Sequence, residues 1–189
     1  MSNDAEQLRV LASTDDLTGL HNLRSFEKHL ARMVQQARDT GATLSLLVLD
    51  LDRLKALNDA HGHLAGAEAV RTVGHTIARC LPAASVACRY GGDEFVIAIS
   101  NTTQAQAAAF AEELAAEVRR LAPTLDGRGF PERTLSVSIG VAGRTFPKAK
   151  RGDDVPEGEL LFQVADRALY SAKPPGATVS APSSFLRRA

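Results

Sequence analysis

Tyr90-Gly91-Gly92-Asp93-Glu94-Phe95 stands between two apolar, β-prone runs, and its reading decides the fold. A Gly-Gly pair between such runs predicts a tight β-hairpin, because glycine accepts the positive φ angles that hairpin turns require. Two carboxylates follow at once, displayed where the backbone carries no side chains to block a ligand. Glycine admits phosphates and carboxylate oxygens hold a hard cation, so the stretch suits a metal ion carrying a polyphosphate. Read alone, it is equally an ordinary hairpin whose acids are solvated.

A second acidic cluster lies upstream. Residues 43–49 (TLSLLVL) form an almost unbroken apolar run, too short for a membrane span and right for a buried strand. The run ends in Asp50-Leu51-Asp52, after which residues 53–59 (RLKALND) turn helical. With a period of two, Asp50 shares a strand face with Leu46 and Val48 and emerges where the apolar cover stops. By itself Asp50 reads as a helix cap or a strand-end charge. Paired with Asp93 on a neighbouring strand, it reads better as a metal ligand.

Working outward, apolar spacing predicts a lead helix ending near residue 13 and a helix over 25–38. Next come a strand at 43–50, a short helix at 53–60 and a helix at 64–80. The hairpin strands fall at 85–90 and 94–99, followed by a helix at 105–121, a strand at 134–142 and a helix at 158–172. Residues 143–157 read as a polar loop. The stretch after Lys173 lacks periodicity and reads as a loose tail.

Composition bounds the function classes. The chain has 189 residues, 44% of them hydrophobic, which suits one domain with a sizeable core. Its 22 basic and 22 acidic side chains cancel, so no global field recruits a nucleic acid polymer or an anionic membrane. No membrane segment and no secretory signal is visible. Cys80 and Cys88 are too few for a disulfide framework and read as reduced thiols, which predicts a cytoplasmic protein. His61 and His63 lack the further ligand spacing that zinc would need.

Several ordered motifs resemble the GGDEF domain of bacterial diguanylate cyclases, over about residues 12–176. Asp15-Asp16-Leu17-Thr18-Gly19-Leu20-His21-Asn22 is similar to that family's D-x-L-T-G-L-x-N opening. Asp50-Leu51-Asp52-Arg53-Leu54-Lys55 with Asn58-Asp59 is similar to D-x-D-x-F-K-x-x-N-D. His61-Gly62-His63 with Gly66, Arg89-Tyr90 before the signature, Ser138-Ile139-Gly140-Val141-Ala142, and Ala165-Asp166-Arg167-Ala168-Leu169-Tyr170 with Lys173 extend the match. The resemblance implies a palm-like α+β fold, related to adenylate cyclases and ferredoxin-like domains. It predicts a mixed sheet bearing the hairpin, with helices packed around it on one side. The implied boundaries are a lead helix or linker at 1–14, the domain at 15–177 and a disordered tail at 178–189.

The resemblance also implies a chemistry: two GTP molecules become cyclic di-GMP and two pyrophosphates. Two Mg2+ or Mn2+ ions per nucleotide would assist, one at the attacking hydroxyl and one at the departing phosphates. By resemblance the metal ligands are Asp50, the Leu51 carbonyl and Asp93. Asp93 would also help to deprotonate the hydroxyl, and Glu94 would assist at the metal. Gly91 and Gly92 would admit the triphosphate, while Lys55 and Lys173 would contact phosphate. Leu54 and Asn58 would line the base site. One domain holds one nucleotide, so a homodimer is implied. In such a family a sensory domain usually precedes the lead helix; Met1–Ser13 is too short to be one, so the expectation is a fragment or a partner protein.

Five departures qualify the match. Ala67 stands where an aspartate would accept hydrogen bonds from guanine, which predicts weakened guanine binding and a relaxed choice between GTP and ATP. Gly176-Ala177-Thr178 replaces G-R-N and lacks a phosphate-contacting arginine. Leu23 replaces an arginine, and Leu54 a phenylalanine. Pro82-Ala83-Ala84-Ser85 occupies the place of the inhibitory R-x-x-D motif, which predicts no product inhibition there. Two readings stay open: a metal-dependent cyclase, or a degenerate module that binds nucleotide or a partner without turnover.

Overall fold

The computed structural model describes residues 12–121, 123–125, 127–131, 133–148 and 157–172. Lys173, Ala177, most of the predicted lead helix and the whole of the predicted tail lie outside the described residues. Along the chain run α1 (Leu23–Thr40), β1 (Thr43–Leu51), α2 (Leu54–His61), α3 (His63–Cys80), β2 (Ser85–Arg89) and β3 (Glu94–Ser100). There follow α4 (Gln104–Arg120), β4 (Thr124–Leu125), β5 (Arg128–Gly129), β6 (Val137–Thr145) and α5 (Glu157–Ala172). The main sheet has the order β2-β3-β1-β6, and every strand pairing in it is antiparallel. An isolated parallel bridge between His21 and Cys88 adds the opening segment to its edge. The fold is α+β and palm-like.

Helices cover both faces of the sheet, not one as predicted. Leu47, Leu49, Ile97 and Ile99 pack with Val70, Val73 and Ile77 of α3 and with Leu114 and Val118 of α4. On the opposite face Leu44, Leu46, Val48, Val96 and Ala98 pack with Phe26 and Leu30 of α1 and with Leu161 and Phe162 of α5. The physical reason is already in β1: an apolar strand that barely alternates has two faces to bury. Cys88 lies within the second core, where burial pushes its thiol pKa far up and disfavours the thiolate.

Local signals set the helix ends. Asn22 caps α1 by accepting the Ser25 N–H at 3.0 Å, and Gly41 ends it in the left-handed region (φ 73). Thr103 and Gln106 form a reciprocal capping box at α4. β6 begins at Val137 and runs through Thr145, later at both ends than the predicted 134–142. Its register places Gly143 opposite Ser45 and Thr145 opposite Thr43, so the pairing claims residues expected in a polar loop. A Cβ at Gly140 would overlap the backbone of Ala165 and Leu169, so glycine there lets α5 seat directly on β6. The β4–β5 hairpin was not expected from the sequence.

Candidate active site at the carboxyl end of β1

The strands bring the two acidic clusters to one end of the sheet. In register, Asp50 faces Glu94 on β3 and Ser138 on β6. One residue further on, the Leu51 N–H donates to the Asp93 carbonyl at 3.0 Å. Asp50, Leu51, Asp93 and Glu94 are therefore neighbours although about 40 residues separate the two clusters in sequence. Asp50 is only 6% exposed, while Asp93 and Glu94 are half-buried.

The hairpin forms, but its glycines do not serve it as predicted. The Tyr90 N–H donates to the Glu94 carbonyl at 2.8 Å, closing the turn. Neither Gly91 nor Gly92 has a positive φ. Their use is the missing side chain: a Cβ at Gly92 would meet nothing within 4 Å, and one at Gly91 would approach the Glu94 carboxylate at 3.3 Å. The turn tip thus offers bare backbone beside the acids.

Two supports of this edge were not assigned a role in the sequence reading. The Arg89 guanidinium donates to the Gly92 carbonyl through Nε at 3.2 Å and Nη2 at 2.8 Å, and through Nη1 to Asp15 Oδ2 at 3.2 Å. Asp15 in turn accepts from the Thr18 amide at 2.9 Å and hydroxyl at 2.7 Å. Partial burial alone would raise the Asp15 pKa; the Thr18 donors and the nearby guanidinium outweigh it and hold the carboxyl below its usual range. Thr18 lies against Gly74 of α3, where a Cβ would overlap it. The second support is Asp52, which accepts from Ser136 Oγ at 2.7 Å and Ser138 Oγ at 2.6 Å. No local pattern in the sequence pairs residues 15 and 89, or 52 and 136, because those contacts exist only after the sheet assembles.

α2 carries two further predicted residues: Lys55, exposed, and Asn58, half-buried. Leu54 and Leu57 pack partly against the core. Asn58 Oδ1 is buried without a hydrogen-bond partner and lies over Gly66, where any Cβ would overlap it. Ala67, next on α3, lines an open groove of about 450 Å3 with Leu64, Glu68, Arg71, Thr124 and Gly127. The acid beside Ala67 is Glu68, and it is paired with Arg71.

The donor set at the strand ends is all oxygen, which fits Mg2+ or Mn2+ and not zinc. Among the described residues no three His, Cys, Asp or Glu side chains gather as one metal cluster. A cation held by Asp50 and Asp93 would therefore complete its shell with backbone, substrate or water oxygens, the usual habit of Mg2+. Among the described residues no helix is long and apolar enough to cross a membrane.

Comparison with known proteins agrees with this fold. The family model for the diguanylate cyclase GGDEF domain matches residues 12–178. The response regulator PleD of Caulobacter vibrioides is 35% identical over 93% of this chain, which spans 37% of PleD's length. The cyclic di-GMP phosphodiesterase PdeR of Escherichia coli is 35% identical over 90% of the chain, which spans 24% of it. The crystal structure of the coiled coil and GGDEF domain of DgcB from Caulobacter crescentus, in complex with c-di-GMP, superposes with a TM-score of 0.77. It is 33% identical, with 89% of this chain and 84% of that chain covered. The family match runs from the opening turn to beyond the last helix, and the chain belongs to the diguanylate cyclase GGDEF-domain family.

Proposed function

We propose that this domain is a diguanylate cyclase, condensing two GTP molecules to cyclic di-GMP with release of two pyrophosphates. The observation that carries the proposal is the Leu51 N–H to Asp93 carbonyl bond, which ties the Asp50 strand end to the hairpin acids. Asp50, the Leu51 carbonyl and Asp93 would hold Mg2+ or Mn2+, two ions per nucleotide, with Glu94 close by. When bound, such ions supply charge neutralisation at the phosphates and acidify the attacking hydroxyl. In each half-reaction a ribose 3′ oxygen bonds to the α-phosphorus of the other nucleotide, and the bond to the β-phosphate oxygen breaks. Asp93 takes the hydroxyl proton, and pyrophosphate leaves with the electron pair. Gly91 and Gly92 admit the triphosphate to bare backbone, and Lys55 and Lys173 offset its charge. One domain holds one nucleotide, so turnover requires a homodimer, with an upstream sensory domain or a partner protein to control it.

Base recognition is the weak point of the site. The orphaned Asn58 Oδ1 supplies an acceptor that a base N–H would satisfy. Ala67 supplies none, and an unmet guanine donor costs about 1–3 kcal/mol. Alanine also opposes no adenine acceptor, so base choice is relaxed and ATP is admitted beside GTP. Ser85 hydrogen-bonds the Pro82 carbonyl at 2.5 Å, and the segment 82–85 offers neither arginine nor aspartate to a cyclic dinucleotide. Product inhibition through that segment is therefore absent. The second reading, a degenerate module that binds nucleotide or a partner without turnover, is favoured by Ala67 and Ala177 and by the likeness to a protein named as a phosphodiesterase. The two readings separate on magnesium-dependent pyrophosphate release from GTP. The cyclase loses it by at least ~100-fold in Asp93→Ala, the scale of a proton-transfer group. Tight nucleotide binding with no release in the wild type supports the module.

A further inference from the structure

α2 is the least anchored wall of the site. None of its residues is fully buried, and no side chain caps its start. It is flanked by two residues of positive φ, Arg53 at 58 and Gly62 at 87. Such an element, with few buried apolar contacts, opens at low free energy. Yet it carries Lys55 and Asn58.

Beside that site α2 also walls a groove of about 460 Å3, which shares Leu51 and Leu54 with it. Its floor includes Leu51, Leu57 and Leu135, and its rim carries Arg53, His61 and Arg133, all exposed. Neither arginine has an ion-pair partner among the described residues. Both stand in the left-handed region, Arg133 at φ 68, at a cost of about 1 kcal/mol each for a non-glycine residue. The acid that lines the groove, Asp52, is already satisfied by Ser136 and Ser138. The His61 ring is steadied edge-on against Phe130, with centroids 4.7 Å apart at 79°. The groove thus joins an apolar floor and an aromatic edge to two arginines that form no ion pair among the described residues. The one carboxylate in its described lining, Asp52, keeps its charge while bonded to two serine hydroxyls.

We propose that this groove binds a small organic anion with a planar apolar body, the chemistry of a purine mononucleotide, and that its occupancy fixes α2. The volume lies in the range of about 300–1,000 Å3 typical of small-molecule sites. The planar body lies on the leucines beside His61, and the phosphate meets the two guanidinium groups, whose forked donors match its oxygens. Because α2 also presents Lys55 and Asn58, a ligand that favours its ordered form raises the affinity of the substrate site. That last step rests on the substrate role proposed above for α2; the binding step does not.

The test is an amide-resolved NMR titration of the full chain with GMP, with inorganic phosphate as the control, and no turnover is needed. The expected result is GMP-dependent shifts at residues 133–136 and along α2, with affinity falling at least ~10-fold in Arg133→Asn, since asparagine tolerates the left-handed backbone. In that variant Gly91 and Gly92 keep their response to magnesium and a non-hydrolysable GTP analogue, which shows that the fold and the catalytic edge persist. Shifts confined to residues 91–94, shifts unchanged in Arg133→Asn, or no shifts at all would overturn the proposal. Equal affinity for inorganic phosphate would also overturn it, because the apolar floor would then contribute nothing.

Discussion

The acids proposed for catalysis and the helix proposed for base recognition meet at the carboxyl end of β1 but are built by opposite means. Asp50 and Asp93 sit on or beside central strands whose flanking residues Leu49, Phe95 and Val96 are essentially without exposure. Backbone bonds on both sides and the Arg89 guanidinium hold that edge in place. α2 has no fully buried residue, no side-chain cap and residues of positive φ at both ends. The proposed metal-holding acids stand on the sheet, and the proposed base-recognition residue Asn58 stands on a short helix with no fully buried residue. The difference places tolerance to change in α2 and its neighbour Ala67, and intolerance in the strands.

The largest effect should come from attacking the rigid side of that contrast. Gly140→Val would drive a branched side chain into the backbone of α5, so we expect a loss of at least ~3 kcal/mol or failure to fold, read as a drop in urea midpoint. Leu64→Ala, on an exposed position of α3, should by contrast leave the midpoint nearly unchanged. Ala67→Asp sharpens the contrast from the other side. It should leave stability nearly unchanged yet raise the preference for GTP over ATP by about 1–3 kcal/mol, roughly 5- to 150-fold, measured as competitive binding. Equal preference in both proteins would remove Ala67 from base recognition.

The smallest effect concerns the pair Asp15–Arg89, which joins the opening turn to the hairpin. Because the folded-state pKa of Asp15 is depressed, its stabilisation is complete above its unfolded value of 3.8 and disappears as the pH falls through the lower folded value. Asp15→Asn should therefore cost up to about 1 kcal/mol at neutral pH, with the two melting curves converging below about pH 4. Curves that stay apart in acid would show that the aspartate acts through packing and not through charge.

The meeting of the two acidic clusters was legible because each closes or opens a strand. An apolar run reaches Asp50 and a hairpin opens on Asp93. Asp50 nevertheless stays covered at 6% exposure, contrary to the expectation that it emerges, because β3 and β6 flank it on both sides. The two-faced burial of β1 was legible too, in the near absence of polar residues between Thr43 and Leu49, although the expected arrangement put the helices on one side. What escaped depended on assembly. The Gly92 backbone looked like a φ requirement and proved to be open space. Gly66 and Gly74 gave no sign of the side chains they accommodate, Asn58 and Thr18, because those neighbours are placed by helix packing. Arg89 reaches an aspartate 74 residues away, and no periodicity encodes that.

The central claim is that the Asp50–Asp93 edge makes cyclic dinucleotides. Its most direct test is mass spectrometry of the products formed by concentrated protein with magnesium and GTP, ATP or their mixture, run beside Asp93→Ala. The expected products are cyclic di-GMP from GTP and adenine-containing cyclic dinucleotide from the mixture, with neither from the variant. A folded wild-type protein that binds nucleotide and yields no cyclic product at any concentration would contradict it.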